Sequence, residues 1–555
     1  MCNRKQCHNN RKITLNFTVL YRAFDCLVWI VFLLYLWCVK VFIVTFLAKI
    51  TMAGGLLVSY AAFAQTSEDV AAIPDVPSCC AMMGMNASFD YTDALVRSGI
   101  PSGAASFYVQ AVNKSIPLVN INARQSQNPA SVIKLVTSFA ALKTFGPDFR
   151  WTTQLLSQGS PDASGVLHQP VYLKGSGDPQ LVIEKIDELT QNLAKGGVKQ
   201  VDAPIVIDRS IFKDERQDAS SFDGEPSMPY NAQPDAALMS FRALTFRFDP
   251  DVQQVTLTPW LMGYNLNNNV RWVDGVCPSS GWKSALALSV SGDQAYMGGK
   301  YFSGCGAQNW HFHAYQTAAN DYVKGILGGL MTSDGRMLFD YPISTNDGLS
   351  PVNLFAPPAR SMWTQHRVEE GRTPVDAHVL ASVQSAPLTD VLRDMNHFSN
   401  NVMARQIYLS ISAKEKGIGS LDGSASIVIN RLAEQGLHLS SLRMGNGSGL
   451  SRETAVSAED LGRMLVLASS DASFVNTLAR LGIEGTVKNR LTSTDMVGRG
   501  RLKTGTLSDV RAIAGYIDGR SGTRYAVVSI IQNGAAQTAG GKQVHDLFLQ
   551  WVGEQ

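Results

Sequence analysis

Hydrophobic and polar positions fall into blocks with two different periods. Residues 104–112 and 116–122 run apolar or alternate, around a polar Asn113-Lys114-Ser115, and predict a β-hairpin. A largely apolar helix is expected from Ser131 to about Phe145, where Gly146-Pro147 stops it. The following stretch is rich in Gly, Pro, Asn and Asp turns around short apolar runs at 170–173, 203–207, 254–258 and 285–290, a β-rich pattern. Helical spacing returns near Ala386, with stretches at 387–397, 402–411, 427–435 and 458–468. The segments 510–517 and 524–532 predict two strands joined by Asp518-Gly519-Arg520-Ser521-Gly522. Last comes a helix presenting Val544, Leu547, Phe548 and Trp551 on one face.

Both ends therefore supply strands and helices of one kind, and the middle differs. The expected fold class is α+β: one antiparallel sheet with helices packed on it, split by a large β-rich insertion. The expected organisation is a leader at 1–64, a first part at 65–155, inserted accessory segments at 156–384, and a second part at 385–555.

The N-terminus changes the reading of charge. The chain has 555 residues and a net charge of +2, but its first 64 residues carry seven Lys or Arg against the single acid Asp25. The remainder carries −4, which gives no electrostatic reason to expect nucleic acid. The small, apolar run from Met52 ends in Ala62-Phe63-Ala64 and fits an export signal with its cleavage site before Gln65. Upstream, the 13-residue apolar run 27–39 is too short to span a bilayer alone. A start site nearer residue 41 or 52 accounts for it better than an anchor over 27–48. Residues 65–88 read as a mobile entry to the mature chain.

Four of the eight cysteines (Cys2, Cys7, Cys26, Cys38) lie in the leader, and adjacent Cys79 and Cys80 have no assignment. Cys277 and Cys305 suit a disulfide in an oxidising compartment, with two buried free thiols as the alternative.

The candidate chemistry lies in three short motifs taken in order: Ser131-Val132-Ile133-Lys134, Ser399-Asn400-Asn401 and Lys503-Thr504-Gly505-Thr506. Three positions along a helix put Ser131 and Lys134 on one face. A serine hydroxyl needs a base, and a lysine desolvated beside Ile133, Val136 and Phe139 is a candidate. Ser399 can relay a proton and Asn401 can donate its amide to a substrate carbonyl. The alternative for that segment is a helix cap. Lys503 and the hydroxyls of Thr504 and Thr506 are donors for a carboxylate. Gly505 admits a close ligand backbone, and the N–H groups of Ser131 and Thr506 could form an oxyanion hole. Other Ser-x-x-Lys matches, at Ser210–Lys213 and Ser280–Lys283, open no apolar helix, and further Ser-x-Asn matches stand at 126–128 and 344–346. Gly447-Ser448-Gly449 is no nucleophile elbow, since Asn446 precedes it. His311-Phe312-His313 lacks the partners of a metal site and reads as strand packing.

With these motifs stand Pro129-Ala130, Gly146-Pro147-Asp148-Phe149-Arg150, Gly175-Ser176-Gly177-Asp178-Pro179, Ile207-Asp208-Arg209-Ser210, Pro229-Tyr230-Asn231, Asn446 to Ser451 and Gly515-Tyr516. Over about residues 88–555 the chain resembles the S13 D-alanyl-D-alanine carboxypeptidase/endopeptidases. These are class C low-molecular-mass penicillin-binding proteins of the penicillin-binding protein 4 type. Asn400 departs from the Asp often found there.

The resemblance implies a serine β-lactamase/transpeptidase-like domain and a penicillin-sensitive serine peptidase that cuts D-Ala-D-Ala bonds and D-Ala cross-links in peptidoglycan. Ser131, Lys134, Ser399, Asn401 and Lys503 would be catalytic, and Thr504, Gly505 and Thr506 substrate-binding, with no cofactor or metal. Expected partners are peptidoglycan stem peptides and β-lactams, in the periplasm, and peripheral membrane association is compatible with this. Two other readings stand beside it, a β-lactamase and a non-catalytic peptidoglycan-binding scaffold. The wide gap between Lys134 and Ser399 speaks against the β-lactamase.

Overall fold

A computed structural model describes residues 90–330, 341–343 and 362–555. The expected leader, the entry segment 65–88, Cys79, Cys80 and the Ser-x-Asn match at 344–346 lie outside the described residues.

Six antiparallel strands form the sheet that carries the site: β1 (Ala105–Ala111), β2 (Val119–Ile121), β3 (Ala479–Arg480), β4 (Gly500–Leu507), β5 (Val510–Asp518) and β6 (Arg524–Gln532). Their spatial order is β3-β4-β5-β6-β1-β2, so the first and last parts of the chain meet where β1 pairs with β6, Ala105 opposite Ile531. The central strands are buried on both faces, hence their nearly continuous apolar sequence. Along β5, Ala512, Ala514 and Tyr516 face one core, while Ile513 and Ile517 face another. The first core is filled by helices α1 (Lys134–Phe145), α2 (Leu388–His397), α3 (Asn401–Lys416), α4 (Leu421–Glu434) and α5 (Ala458–Ala468). Over the second lies α6 (Ala539–Glu554), burying Val544, Phe548, Leu549 and Val552.

The intervening segment leaves and returns through strands Thr152–Ser157 and His378–Gln384, which pair with Thr152 opposite Gln384. They belong to a five-stranded sheet with Val171–Lys174, Ile205–Asp208 and Val368–Glu370. A four-stranded and a three-stranded sheet follow among the described residues. This segment has its own core around Phe246, Phe248, Tyr301, Tyr322 and Trp363. Cys277 and Cys305 are disulfide-bonded, which rules out the pair of free thiols.

Two helices stand where only β structure is expected. Helix Ile183–Lys195 buries Ile186, Leu189 and Leu193 at helical spacing. Helix Ala319–Leu330 contains Gly325, Gly328 and Gly329, poor helix formers. Their bareness has a packing reason: a Cβ on each would fall within 2.9 Å of Leu261, Met262 or Trp260.

Candidate active site

The first motif is positioned by a strained turn. Asn128 Oδ1 accepts from the N–H of Ala130 at 2.9 Å, and Ala130 takes a left-handed φ of 48°. A non-glycine residue held there costs roughly 1–3 kcal/mol, a cost concentrated at functional sites. Ser131 follows within a 3-10 turn, Ala130–Ile133, and the α-helix begins only at Lys134. The hydroxyl therefore stands just ahead of α1 rather than inside it. Lys134 still reaches back, with Nζ 2.9 Å from Ser131 Oγ.

Lys134 is fully buried. Its Nζ also donates to Asn401 Oδ1 at 2.5 Å and to the carbonyl oxygen of Ser448. Burial first, then the positive charges of Lys503 and Arg405, hold its pKa well below the ordinary lysine range. An amine so placed is ready to take a proton from the hydroxyl it touches.

The second motif occupies the turn between α2 and α3. Ser399 sits at φ 55°, again left-handed, and Asn400 caps α3 by accepting from the N–H of Met403 at 3.0 Å. The capping and functional readings thus fall on different residues: Asn400 caps, while Ser399 and Asn401 face the lysines. Helix α3 is tied to the inserted segment by two hydrogen bonds between Gln406 and the Asp235 backbone, 3.0 and 2.8 Å, and by Arg405 donating to the Ala232 carbonyl at 3.0 Å.

The third motif lies on β4. Lys503, also fully buried, donates to Ser399 Oγ at 2.8 Å and to the Thr504 carbonyl at 2.6 Å. Burial brings its pKa down to about 7. Thr504 Oγ1 donates to Thr486 Oγ1 at 2.8 Å, and Thr506 is exposed. Beyond Leu502, β4 has no strand on the side away from β5 among the described residues. Gly505 lies flat against the Ser131 turn, where a Cβ would stand 2.6 Å from the Pro129 carbonyl oxygen and 3.1 Å from the Ser131 nitrogen.

The three motifs, 267 positions apart from Lys134 to Asn401 and 104 from Ser399 to Lys503, thus form one hydrogen-bonded set. One contributor was singled out in the sequence only as part of the family resemblance, with no role in the site. The Asn446–Ser451 segment supplies the Ser448 carbonyl to Lys134 and the Gly447 carbonyl to Thr137 Oγ1 at 2.8 Å. It also brings Gly449 (φ 92°) so close that a Cβ would lie 2.3 Å from the Ala130 carbonyl oxygen and 2.7 Å from the Ser131 nitrogen. Two glycines within a polar hexapeptide were the available signal.

The secondary matches are elsewhere. Lys213 pairs with Glu215 and Lys283 lies against Trp282 and Trp310. His313 is buried on a strand, with Nδ1 3.0 Å from the Pro226 carbonyl oxygen, and burial brings its pKa to about 4. Among the described residues no cluster of His, Cys, Asp or Glu could hold a metal ion.

The arrangement can activate a hydroxyl, hold a proton beside it, and present donors along an open strand edge. Known proteins resemble the chain in sequence and in fold. The profile of the D-Ala-D-Ala carboxypeptidase 3 (S13) family matches residues 92–288 and 361–555. The chain is 28% identical over 444 residues to a D-alanyl-D-alanine carboxypeptidase of Actinomadura sp., covering 73% of each. It is 23% identical over 442 residues to the D-alanyl-D-alanine carboxypeptidase DacB of Haemophilus influenzae, covering 78% of this chain and 86% of that one. Penicillin-binding protein 4 (dacB) of Haemophilus influenzae, at 21% identity, superposes with a TM-score of 0.65 over 84% of this chain and all of the other. This fold likeness agrees with the expected α+β class.

Proposed function

The chain belongs to the D-Ala-D-Ala carboxypeptidase 3 (S13) family, and on that premise we propose that Ser131 is the residue its substrates acylate. The protein is a serine-type D-Ala-D-Ala carboxypeptidase acting on peptidoglycan. One observation carries the assignment of Ser131: the buried Lys134 amine stands 2.9 Å from its hydroxyl, and burial pushes the pKa of that amine down.

Ser131 Oγ attacks the carbonyl of the penultimate D-alanine, and its proton passes to Lys134 Nζ. The N–H groups of Ser131 and Thr506 receive the oxyanion. Such donors are worth roughly 10²- to 10³-fold each. Asn401 turns its Oδ1 to Lys134, which leaves its amide N–H free for the substrate backbone. Lys503, Thr504 and Thr506 hold the terminal carboxylate. The pair Ser399–Lys503 delivers a proton to the leaving amine, and water then releases the acyl group. Gly505 lets the substrate backbone lie along β4.

Cross-link cleavage uses the same atoms, with a side-chain-linked amine as the leaving group. β-Lactams acylate the same serine. In this reading the mature chain is delivered to the periplasm by the signal ending at Ala64. Among the described residues no helix is long and apolar enough to cross a membrane.

The test is D-alanine release from a peptide ending in D-Ala-D-Ala. Ser131→Ala should abolish it. Lys134→Met should lower it by about 10³-fold or more, within the range for loss of a general base together with its hydrogen bonds. Turnover surviving in Ser131→Ala would contradict the assignment.

A further inference from the structure

A cleft of about 780 Å³ opens directly beyond the Ser399–Asn401 turn. That volume suits a ligand segment of several residues, far more than a terminal dipeptide needs. One wall is Phe398, Ser399 and Asn401. The opposite wall belongs to the inserted segment and includes Asn309, His311 and Lys283.

The charge pattern of this cleft is one-sided. Lys283 is the single charged residue lining it, and no carboxylate lines it, among the described residues. Lys283 forms no ion pair within the described residues. Its Nζ is instead held over two indole rings, 4.7 Å from the Trp310 centroid and 5.2 Å from that of Trp282. Those rings meet edge to face at 5.8 Å, and Trp282 packs on Tyr301 and Phe248. A lysine normally loses rotamer freedom when it is fixed. Here much of that ordering precedes any ligand. Neighbouring His311 is drawn toward its neutral form by burial and by Lys283, and shares its Nδ1 with Thr245 Oγ1 at 3.0 Å.

The near end is apolar and open. Phe398, next to the proton-relaying serine, is 74% exposed. An aromatic surface beside the reacting bond and a fixed cation farther on describe a seat for an extended chain with a negative group away from the scissile bond. Stem peptides have that chemistry, since they bear free carboxylates upstream of the D-alanines.

We propose that this cleft binds a carboxylate-bearing arm of the peptidoglycan peptide, with Lys283 as its anchor and Phe398 as the surface it crosses. The inserted segment then acts in substrate selection and favours long, anionic peptides over short neutral ones. This rests on the serine-peptidase reading of Ser131.

The test uses two pentapeptides ending in D-Ala-D-Ala, identical except that the upstream carboxylates are free in one and amidated in the other. Each is assayed with wild type, Lys283→Met and Lys283→Arg, and benzylpenicillin acylation is followed for all three. Lys283→Met should lower kcat/KM about tenfold on the free acid and less than twofold on the amide. Lys283→Arg should restore most of the loss, and acylation should not change. An equal loss on both peptides, or none on either, overturns the proposal while leaving Ser131 in its role. Failure of wild type both to be acylated and to release D-alanine would overturn the serine-peptidase reading and this inference with it.

Discussion

Asn401 Oδ1 lies 2.5 Å from Lys134 Nζ, so the middle motif meets the first motif at the base itself. The amide is neutral, and it accepts from the amine without adding charge. Asn401→Asp would place a carboxylate there and favour the protonated lysine. The lysine pKa would rise, so the basic form would need higher pH. Acylation near neutral pH should fall by about 10²-fold, and the acid limb of the rate profile should move to higher pH. Stopped-flow acylation across pH 5–10 checks both. An unchanged profile would mean that Lys134 is not the base.

Gly449 and Gly436 both have positive φ, 92° and 79°, but only Gly449 has no room for a Cβ. Gly436→Ala should cost about 1 kcal/mol and leave acylation untouched. Gly449→Ala would push on the Ala130–Ser131 backbone. A misplacement of about 1 Å can cost about 10²-fold in rate, so acylation should fall at least that far in a protein that still folds. Paired unfolding and acylation measurements distinguish the two.

Two fully buried lysines make stability depend on pH. Lys503 has its pKa lowered from 10.5 to about 7 by burial, and burial lowers that of Lys134 as well. Between those values the unfolded chain binds protons that the folded chain does not, so stability should rise with pH from about 7 toward 10.5. Below about 7 the cost of burying charge is fully present. Lys503→Met should flatten this rise and stabilise the fold at pH 7 by about 1–3 kcal/mol, while carboxypeptidase activity is lost. Denaturant titrations at pH 6, 8 and 10 check the sign.

The α+β plan was legible because its strands are either fully buried or cleanly alternating. Segments 510–517 and 524–532 lie on β5 and β6 almost to the residue. The three motifs were legible because each has an unusual residue pair at fixed spacing. What the sequence concealed is what depends on tertiary contact. The 3-10 turn at Ser131 is flanked by a local contact, Asn128 Oδ1 accepting from the Ala130 N–H, and by a distant one, Gly449 lying close against the Ala130 carbonyl. The Ser448 carbonyl reaches Lys134 from 314 positions away, and a backbone acceptor leaves no trace in residue identity. Helix Ala319–Leu330 was hidden by glycines that its neighbours require. Helix Ile183–Lys195 shows a clear helical stripe, and the surrounding turn residues masked it.

The central claim is that Ser131 becomes acylated with Lys134 as its base. The most direct measurement is intact-mass spectrometry of the mature protein after brief exposure to benzylpenicillin, followed over time beside Ser131→Ala and Lys134→Met. The account predicts one persistent penicillin adduct on the wild type, none on Ser131→Ala, and formation slowed by about 10³-fold in Lys134→Met. An adduct on Ser131→Ala, or none on the wild type at any time, would contradict it. Rapid loss of the adduct with penicillin turnover would indicate a β-lactamase instead.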